Sequence, residues 1–161
     1  MIRKLSPDDF DQWKQLRLEA VRLCPTSFGE SYSGVEQQDQ EWFAQSLQRG
    51  DVFAYHKDEK MVGLIGTFTM QPSNMRHRAV IFGLYVKGEY RKLGIASALL
   101  EYALTHISDN HQQAHLTVAV DNSAAIALYK KLGFVIYGTD ARALLIDGKY
   151  YDEYMMVKDN F

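Results

Sequence analysis

Apolar positions along the chain change period several times, and each change predicts an element boundary. A short apolar run from Ile2 to Leu5 reads as a strand. Ser6-Pro7-Asp8-Asp9 then supplies an N-cap hydroxyl, a first-turn proline and acids beside the positive end of a helix. Phe10, Trp13, Leu16, Ala20 and Leu23 recur at helical spacing and predict one buried face, and Pro25 stops the helix. Thr26 to Gly34 reads as a loop, a candidate substrate wall, before a second helix with Val35, Trp42, Phe43 and Leu47 toward the core.

Three strand-like runs follow: Val52 to His56, Met61 to Met70 and Ala79 to Val86. The charged turn Lys57-Asp58-Glu59-Lys60 joins the first two as a hairpin and predicts an antiparallel meander. From Gly94 to Ile107 the apolar positions return to helical spacing, and Leu116 to Val120 reads as a strand. This strand-helix-strand order implies a parallel pair. Asn122 reads as the N-cap of a helix ending at Gly133, and Phe134 to Tyr137 and Tyr150 to Val157 supply the last strands. The order describes an α/β (α+β) chain with a mixed, mostly antiparallel sheet and about four helices.

Composition narrows the reading. With 161 residues, 47% of them hydrophobic, residues 1–161 suit a single domain with one core. The 18 Lys plus Arg against 20 Asp plus Glu lack the basic excess of a nucleic-acid or anionic-membrane binder, so neither partner is expected. The single cysteine, Cys24, allows no intrachain disulfide, and the N-terminus lacks the apolar core of a signal peptide. The apolar run Ala79 to Val86 is far short of the roughly 20 residues that span a bilayer. A soluble, cytoplasmic protein without a metal site is the expectation.

The chemistry concentrates in one segment. A strand delivers the chain through Lys87-Gly88-Glu89-Tyr90 into Arg91-Lys92-Leu93-Gly94-Ile95-Ala96-Ser97 and directly onto a helix. Successive amides at a helix start, the macrodipole, and the small residues Gly94 and Ala96 make such a turn a site for a pyrophosphate. Arg91 and Lys92 are candidates for added contacts to phosphate oxygens. Further along, Asn122 and Tyr129 are seven residues apart, about two turns at ~3.6 residues per turn, so one ligand can touch both.

With these segments in view, the chain resembles the GNAT superfamily of N-acetyltransferases over nearly its whole length. The superfamily signature, Arg or Gln followed by x-x-G-x-G or x-x-G-x-A, matches Arg91, Gly94 and Ala96. Its later asparagine-to-tyrosine helix and trailing Gly-Phe match Asn122, Tyr129, Gly133 and Phe134. The resemblance implies a sheet splayed between the fourth strand, Ala79 to Val86, and the fifth, Leu116 to Val120, with the pantetheine arm of acetyl-CoA in the gap. It implies direct attack of a primary amine on the thioester, a backbone donor near Leu84, Tyr85 and Val86 for the carbonyl, and Tyr129 as general acid for the leaving thiolate. The acceptor is a small-molecule amine or a protein or peptide amine, and a homodimer is compatible.

The proton acceptor is less defined, because Val80-Ile81-Phe82-Gly83-Leu84 lacks the glutamate that many relatives carry on the fourth strand. Glu30 is the first candidate base, with His77, Asp152 and Glu153 as alternatives. Glu30, Glu36, Glu41, Asp152 and Glu153 would favour a cationic acceptor if they lined its site. Cys24 precedes Pro25 without a neighbouring histidine and reads as structural rather than nucleophilic. A dinucleotide-binding domain lacks support, since no G-x-G-x-x-G follows a strand. A non-catalytic acyl-CoA-binding sensor remains the alternative.

Overall fold

Seven strands form one sheet in the computed structural model, which describes all residues from Met1 to Phe161. They are β1 Ile2–Lys4, β2 Asp51–Lys57, β3 Lys60–Thr69, β4 Arg78–Val86, β5 Gln113–Ala119, β6 Val135–Ile146 and β7 Lys149–Asp159, in the order β1-β2-β3-β4-β5-β7-β6. Every neighbouring pair is antiparallel except β4 with β5. Five helices accompany the sheet: α1 Phe10–Leu23, α2 Tyr32–Gln37, α3 Gln40–Arg49, α4 Ile95–Ser108 and α5 Ser123–Lys131.

The second helix of the sequence reading is in fact two. Gln38 is extended between them, and Asp39 starts α3 by accepting from the Trp42 amide at 2.8 Å, as an N-cap aspartate does. Lys14 Nζ donates to the carbonyls of Glu36 and Gln38 at 2.8 and 2.6 Å, satisfying backbone that the broken helix leaves open. Leu23, expected on the buried face of α1, is exposed, and Val21 is buried in the last turn instead. β6 extends well beyond Tyr137, and the turn Asp147-Gly148, both residues with positive φ, folds it onto β7.

Apolar side chains pack on both faces of the sheet. On one, α4 buries Ile95, Leu99, Leu100, Ala103, Leu104 and Ile107, and Tyr129 of α5 joins the same cluster. On the other, Trp13, Leu16, Ala20 and Val21 of α1 pack with Val35 of α2, Phe43 of α3, and Leu64 and Tyr85 of the sheet. Each large side chain so buried contributes about 1.5–3 kcal/mol relative to exposure. The two clusters fix the sheet between α4 with α5 and α1 with α3.

β4 and β5 pair only at Arg78–Gln113, Ala79–Ala114 and Val80–His115, and then separate, while β5 stays paired with β7 along its whole length. The sheet is therefore split over the second half of β4. There β4 also carries a bulge: Phe82 pairs with Gly66 and Tyr85 with Leu64, so Gly83 and Leu84 oppose the single residue Ile65. Gly83 takes φ +66°, a conformation that costs a residue with a Cβ.

Candidate active site

Two features adjoin the open half of β4, the turn that follows it and the cleft that its residues line. The first is the turn into α4. Arg91 is extended, Lys92 has φ 62° and Gly94 has φ 79°, so the chain winds through left-handed conformations before Ile95. The Arg91 amide donates to the Gly88 carbonyl at 3.2 Å, and the next amide with a backbone acceptor is that of Ala98, on the Gly94 carbonyl at 3.0 Å. The amides from Lys92 to Ser97 have no backbone acceptor, and a Cβ on Gly94 would meet no atom within 4 Å. A row of unpaired donors at a helix start with open space before it fits a phosphate group.

Arg91 is committed elsewhere than expected. Its Nε donates to the Val86 carbonyl at 3.0 Å, its Nη2 lies 3.6 Å from Cys24 Sγ, and its guanidinium stands 5.7 Å from the Tyr85 ring centroid. It braces the turn against β4. Lys92 and Leu93 are exposed, and Ile95 is buried in the core beneath α4. Asn122 caps α5, its Oδ1 accepting from the Ala125 amide at 3.2 Å.

The second feature is a cleft of about 1060 Å³ on the α1 and α3 side of the sheet, running from Trp13 and Arg17 past Leu64, Phe82 and Gly83 to His115, Thr117 and Glu153. Of the carbonyl-polarising candidates, Leu84 turns toward the core under α4, and Tyr85 toward α1, where its hydroxyl donates to Glu19 at 2.8 Å. Burial and that bond raise the Tyr85 pKa. Gly83, at the bulge itself, is the residue of this stretch that reaches the cleft.

Of the acids named from the sequence, the cleft gathers two, Glu30 and Glu153. Glu36 and Glu41 are exposed outside it, and Asp152 turns away to accept from the Arg142 amide at 2.8 Å. His77 is exposed ahead of β4 and does not line the cleft. Glu30 has both oxygens engaged: Oε2 accepts from Arg17 Nη2 at 2.9 Å and Oε1 from Gln38 Nε2 at 2.8 Å. Glu153 is held differently. Its burial, with Asp140 nearby, raises its pKa against the opposing effect of the Thr117 hydroxyl.

Arg17, Arg49, Arg78 and His115 also line the cleft and went unnoticed in the sequence. Arg17 had a signal: it stands four residues after Trp13 and three before Ala20, both buried, so its charge falls on the apolar stripe of α1. Arg78 Nε donates to His115 Nε2 at 3.0 Å, and burial, then the Arg78 charge, lower the His115 pKa. Tyr129 lies on the opposite face, in the core with α4, its ring 5.9 Å from that of Phe134. Burial pushes its phenol up to about 12.

Residues 13–134 match the model of the acetyltransferase (GNAT) family. The chain belongs to that family. This GNAT chain is 36% identical over 104 residues to the L-amino acid N-acetyltransferase AaaT of Escherichia coli K12, covering 63% of either protein. It is 31% identical over 97 residues to the spermidine N(1)-acetyltransferase of Vibrio cholerae, covering 59% of this chain and 56% of that one. The matches thus span less than two thirds of each relative. Among solved structures, an acetyltransferase of the GNAT family from Streptococcus pneumoniae superposes with a TM-score of 0.83 at 27% identity, covering 99% of this chain and 98% of that one. The split mixed sheet is the arrangement that the GNAT resemblance implied.

Proposed function

We propose that the chain transfers an acetyl group from acetyl-CoA to a primary amine by direct attack within a ternary complex. The observation that carries this reading is that β4, where the sheet splits, lends Phe82 and Gly83 to the cleft and then leads into the unpaired amides from Lys92 to Ser97. Acetyl-CoA supplies the activated thioester, and the turn residues Lys92 to Ser97 are the ones that would hold its phosphates. Lys92 adds a cation there, whereas Arg91 supports the turn from behind through Val86.

The chain's own groups divide the remaining work. The bulge at Gly83 and Leu84 frees β4 backbone from regular pairing beside the split, where a donor to a thioester carbonyl is needed. Glu153 is the acid of the cleft whose surroundings favour taking up a proton, so it is the base in this reading, with Glu30 in the role of holding Arg17. Tyr129 sits in the core with α4 on the other face of the sheet, and in this reading it is the donor to the leaving thiolate. At about 12 the phenol stays neutral at physiological pH. Cys24 lies outside the cleft, in keeping with attack by the acceptor amine rather than by a thiol of the protein.

The test is an initial-rate study with a panel of primary amines, following CoA release and the mass of the acetylated product. Intersecting double-reciprocal lines are expected for a ternary complex, and parallel lines would indicate an acyl-enzyme. A protein that binds acetyl-CoA and acetylates no amine would be a binding module instead.

A further inference from the structure

Arg17 is the one cation of the cleft that the fold fixes in place beside the bulge. Its side chain is only 11% exposed, its guanidinium lies 4.5 Å from the Phe28 ring centroid, and Glu30, itself tied to Gln38, takes one hydrogen bond through Nη2. Nη1 points the other way: it stands 3.4 Å from the position a Cβ on Gly83 would occupy. A guanidinium held by a ring and a carboxylate keeps its remaining donors in a fixed plane, and that plane suits a second carboxylate. A merely structural arginine on this stripe would turn its free donors to solvent or to backbone carbonyls, whereas these face the cleft at the point where the acceptor amine must arrive.

The rest of the cleft favours the same ligand. Three arginines, Arg17, Arg49 and Arg78, line it against two glutamates, and Arg78 has neutral His115 rather than an acid as its partner. A polycationic acceptor finds only Glu153 without a cation of its own here, since Glu30 is already spent on Arg17 and Gln38. Beyond the bulge, Phe68 and Phe82 stand with ring centroids 5.8 Å apart, 40% and 39% exposed, and both line the cleft. Such an uncovered aromatic pair beside a few aimed polar groups is the makeup of a site for an apolar side chain.

From this arrangement we infer that the acceptor is a free α-amino acid with an apolar or aromatic side chain, its carboxylate held by Arg17 Nη1 and its side chain against Phe68 and Phe82. In such a molecule the amine and carboxylate share one carbon, so a carboxylate on Nη1 places the amine at Gly83. A peptide N-terminus lacks that carboxylate, and a simple amine lacks the anchor. The inference rests on the transferase reading above and names its acceptor class.

The experiment uses three probes that share a ring and a primary amine: L-phenylalanine, L-phenylalaninamide and phenethylamine. Calorimetry on protein saturated with CoA, which cannot react, measures their binding, and CoA release from acetyl-CoA measures kcat/KM for each. L-phenylalanine is expected to bind at least tenfold more tightly than either analogue. Arg17→Gln is expected to reduce that preference at least tenfold, and Arg17→Lys to restore part of it. Equal binding of the three probes, or no binding of any, overturns the inference. So does an equal loss for all three in Arg17→Gln, which would mark a structural role. If Arg17→Gln fails to fold, the wild-type series decides alone. Preferential binding of L-phenylalanine without CoA release from any probe would sink the transferase reading and leave the carboxylate site standing. Equal binding with equal turnover of all three would do the reverse.

Discussion

Val80 of β4 and His115 of β5 form the last paired rung between the two strands, and beyond them the sheet opens. Arg78, two residues earlier on β4, reaches across the closed end to the His115 ring at 3.0 Å, so the cross-strand link continues in side chains where the gap begins. The strands on either side of the opening are each held by another neighbour. β7 holds β5 on its far side, and β3 holds β4 across the bulge at Gly83. A gap whose two strands are each held by a neighbour on the far side can admit a ligand without the sheet having to unfold.

Gly94 sets the approach to the row of free amides. Replacing it by tryptophan fills space that is empty within 4 Å of the new Cβ and that a pyrophosphate needs. The positive φ of 79° adds a strain of ~1–2 kcal/mol, small enough for the domain to stay folded. Gly94→Trp is expected to lower the affinity for acetyl-CoA at least a hundredfold in calorimetry while circular dichroism stays native-like. Wild-type affinity in a folded variant would remove the phosphate assignment.

Much of this frame was legible in the residue pattern, and the failures have physical causes. The strand-turn-helix from Ala79 to Ile107 was readable because Gly94 and Ala96 mark the turn and the apolar stripe of α4 is unbroken. The break at Gln38 and Asp39 was not, since it depends on Asp39 capping and on Lys14 covering the carbonyls from a distant helix. The length of β6 was missed because its residues are mostly exposed and carry no clean alternation, although Asp147-Gly148 marks the turn. The cleft itself was invisible in one dimension: Arg17, Gly83, His115 and Glu153 belong to four elements brought together only by the sheet order.

His56 makes stability depend on pH. Both of its ring nitrogens are buried without a hydrogen-bond partner, and burial, with the Arg3 charge, lowers its pKa. The unfolded chain takes up a proton near pH 6.5, whereas the folded one does so only at lower pH, so stability is full above that value and falls as the pH drops below it. Urea unfolding between pH 8 and pH 5 is expected to show this fall, with a shallower slope in His56→Leu. An identical slope in the variant would assign the effect to other groups, His115 first among them.

Glu153 and Glu30 are separable by their pH profiles. A base must be ionised, so a raised Glu153 pKa puts the acid limb of kcat/KM above the ordinary glutamate range, and Glu153→Gln is expected to remove that limb and lower kcat about 10²- to 10⁴-fold. Glu30→Gln loosens the Arg17 guanidinium instead, and is expected to raise the acceptor KM severalfold with the limb intact. Loss of the limb in Glu30→Gln alone would return the base to Glu30.

Tyr129→Phe tests the other proton. The substitution keeps the ring that packs against Phe134 and deletes only the hydroxyl, which makes no hydrogen bond that shifts its pKa. Burial alone raises the phenol to about 12, and a thiol has a pKa of about 8.5, so full proton transfer from Tyr129 to a free thiolate runs uphill. In the proposed mechanism the hydroxyl therefore acts chiefly by donating a hydrogen bond as the carbon-sulfur bond stretches, and the thiolate is protonated from solvent after it leaves. A donor aimed at developing charge in a dry site is worth ~10²–10³ in kcat, and one that meets a soft sulfur anion belongs at the lower end of that range. Tyr129→Phe is expected to lower kcat by about that lower bound with the acetyl-CoA dissociation constant changed less than threefold. Because the phenol stays neutral up to about 12, the alkaline side of the wild-type profile should persist unchanged in the variant. Single-turnover rates with a saturating amine isolate the chemical step, and a variant that matches wild type there leaves Tyr129 a packing residue of the α5 core.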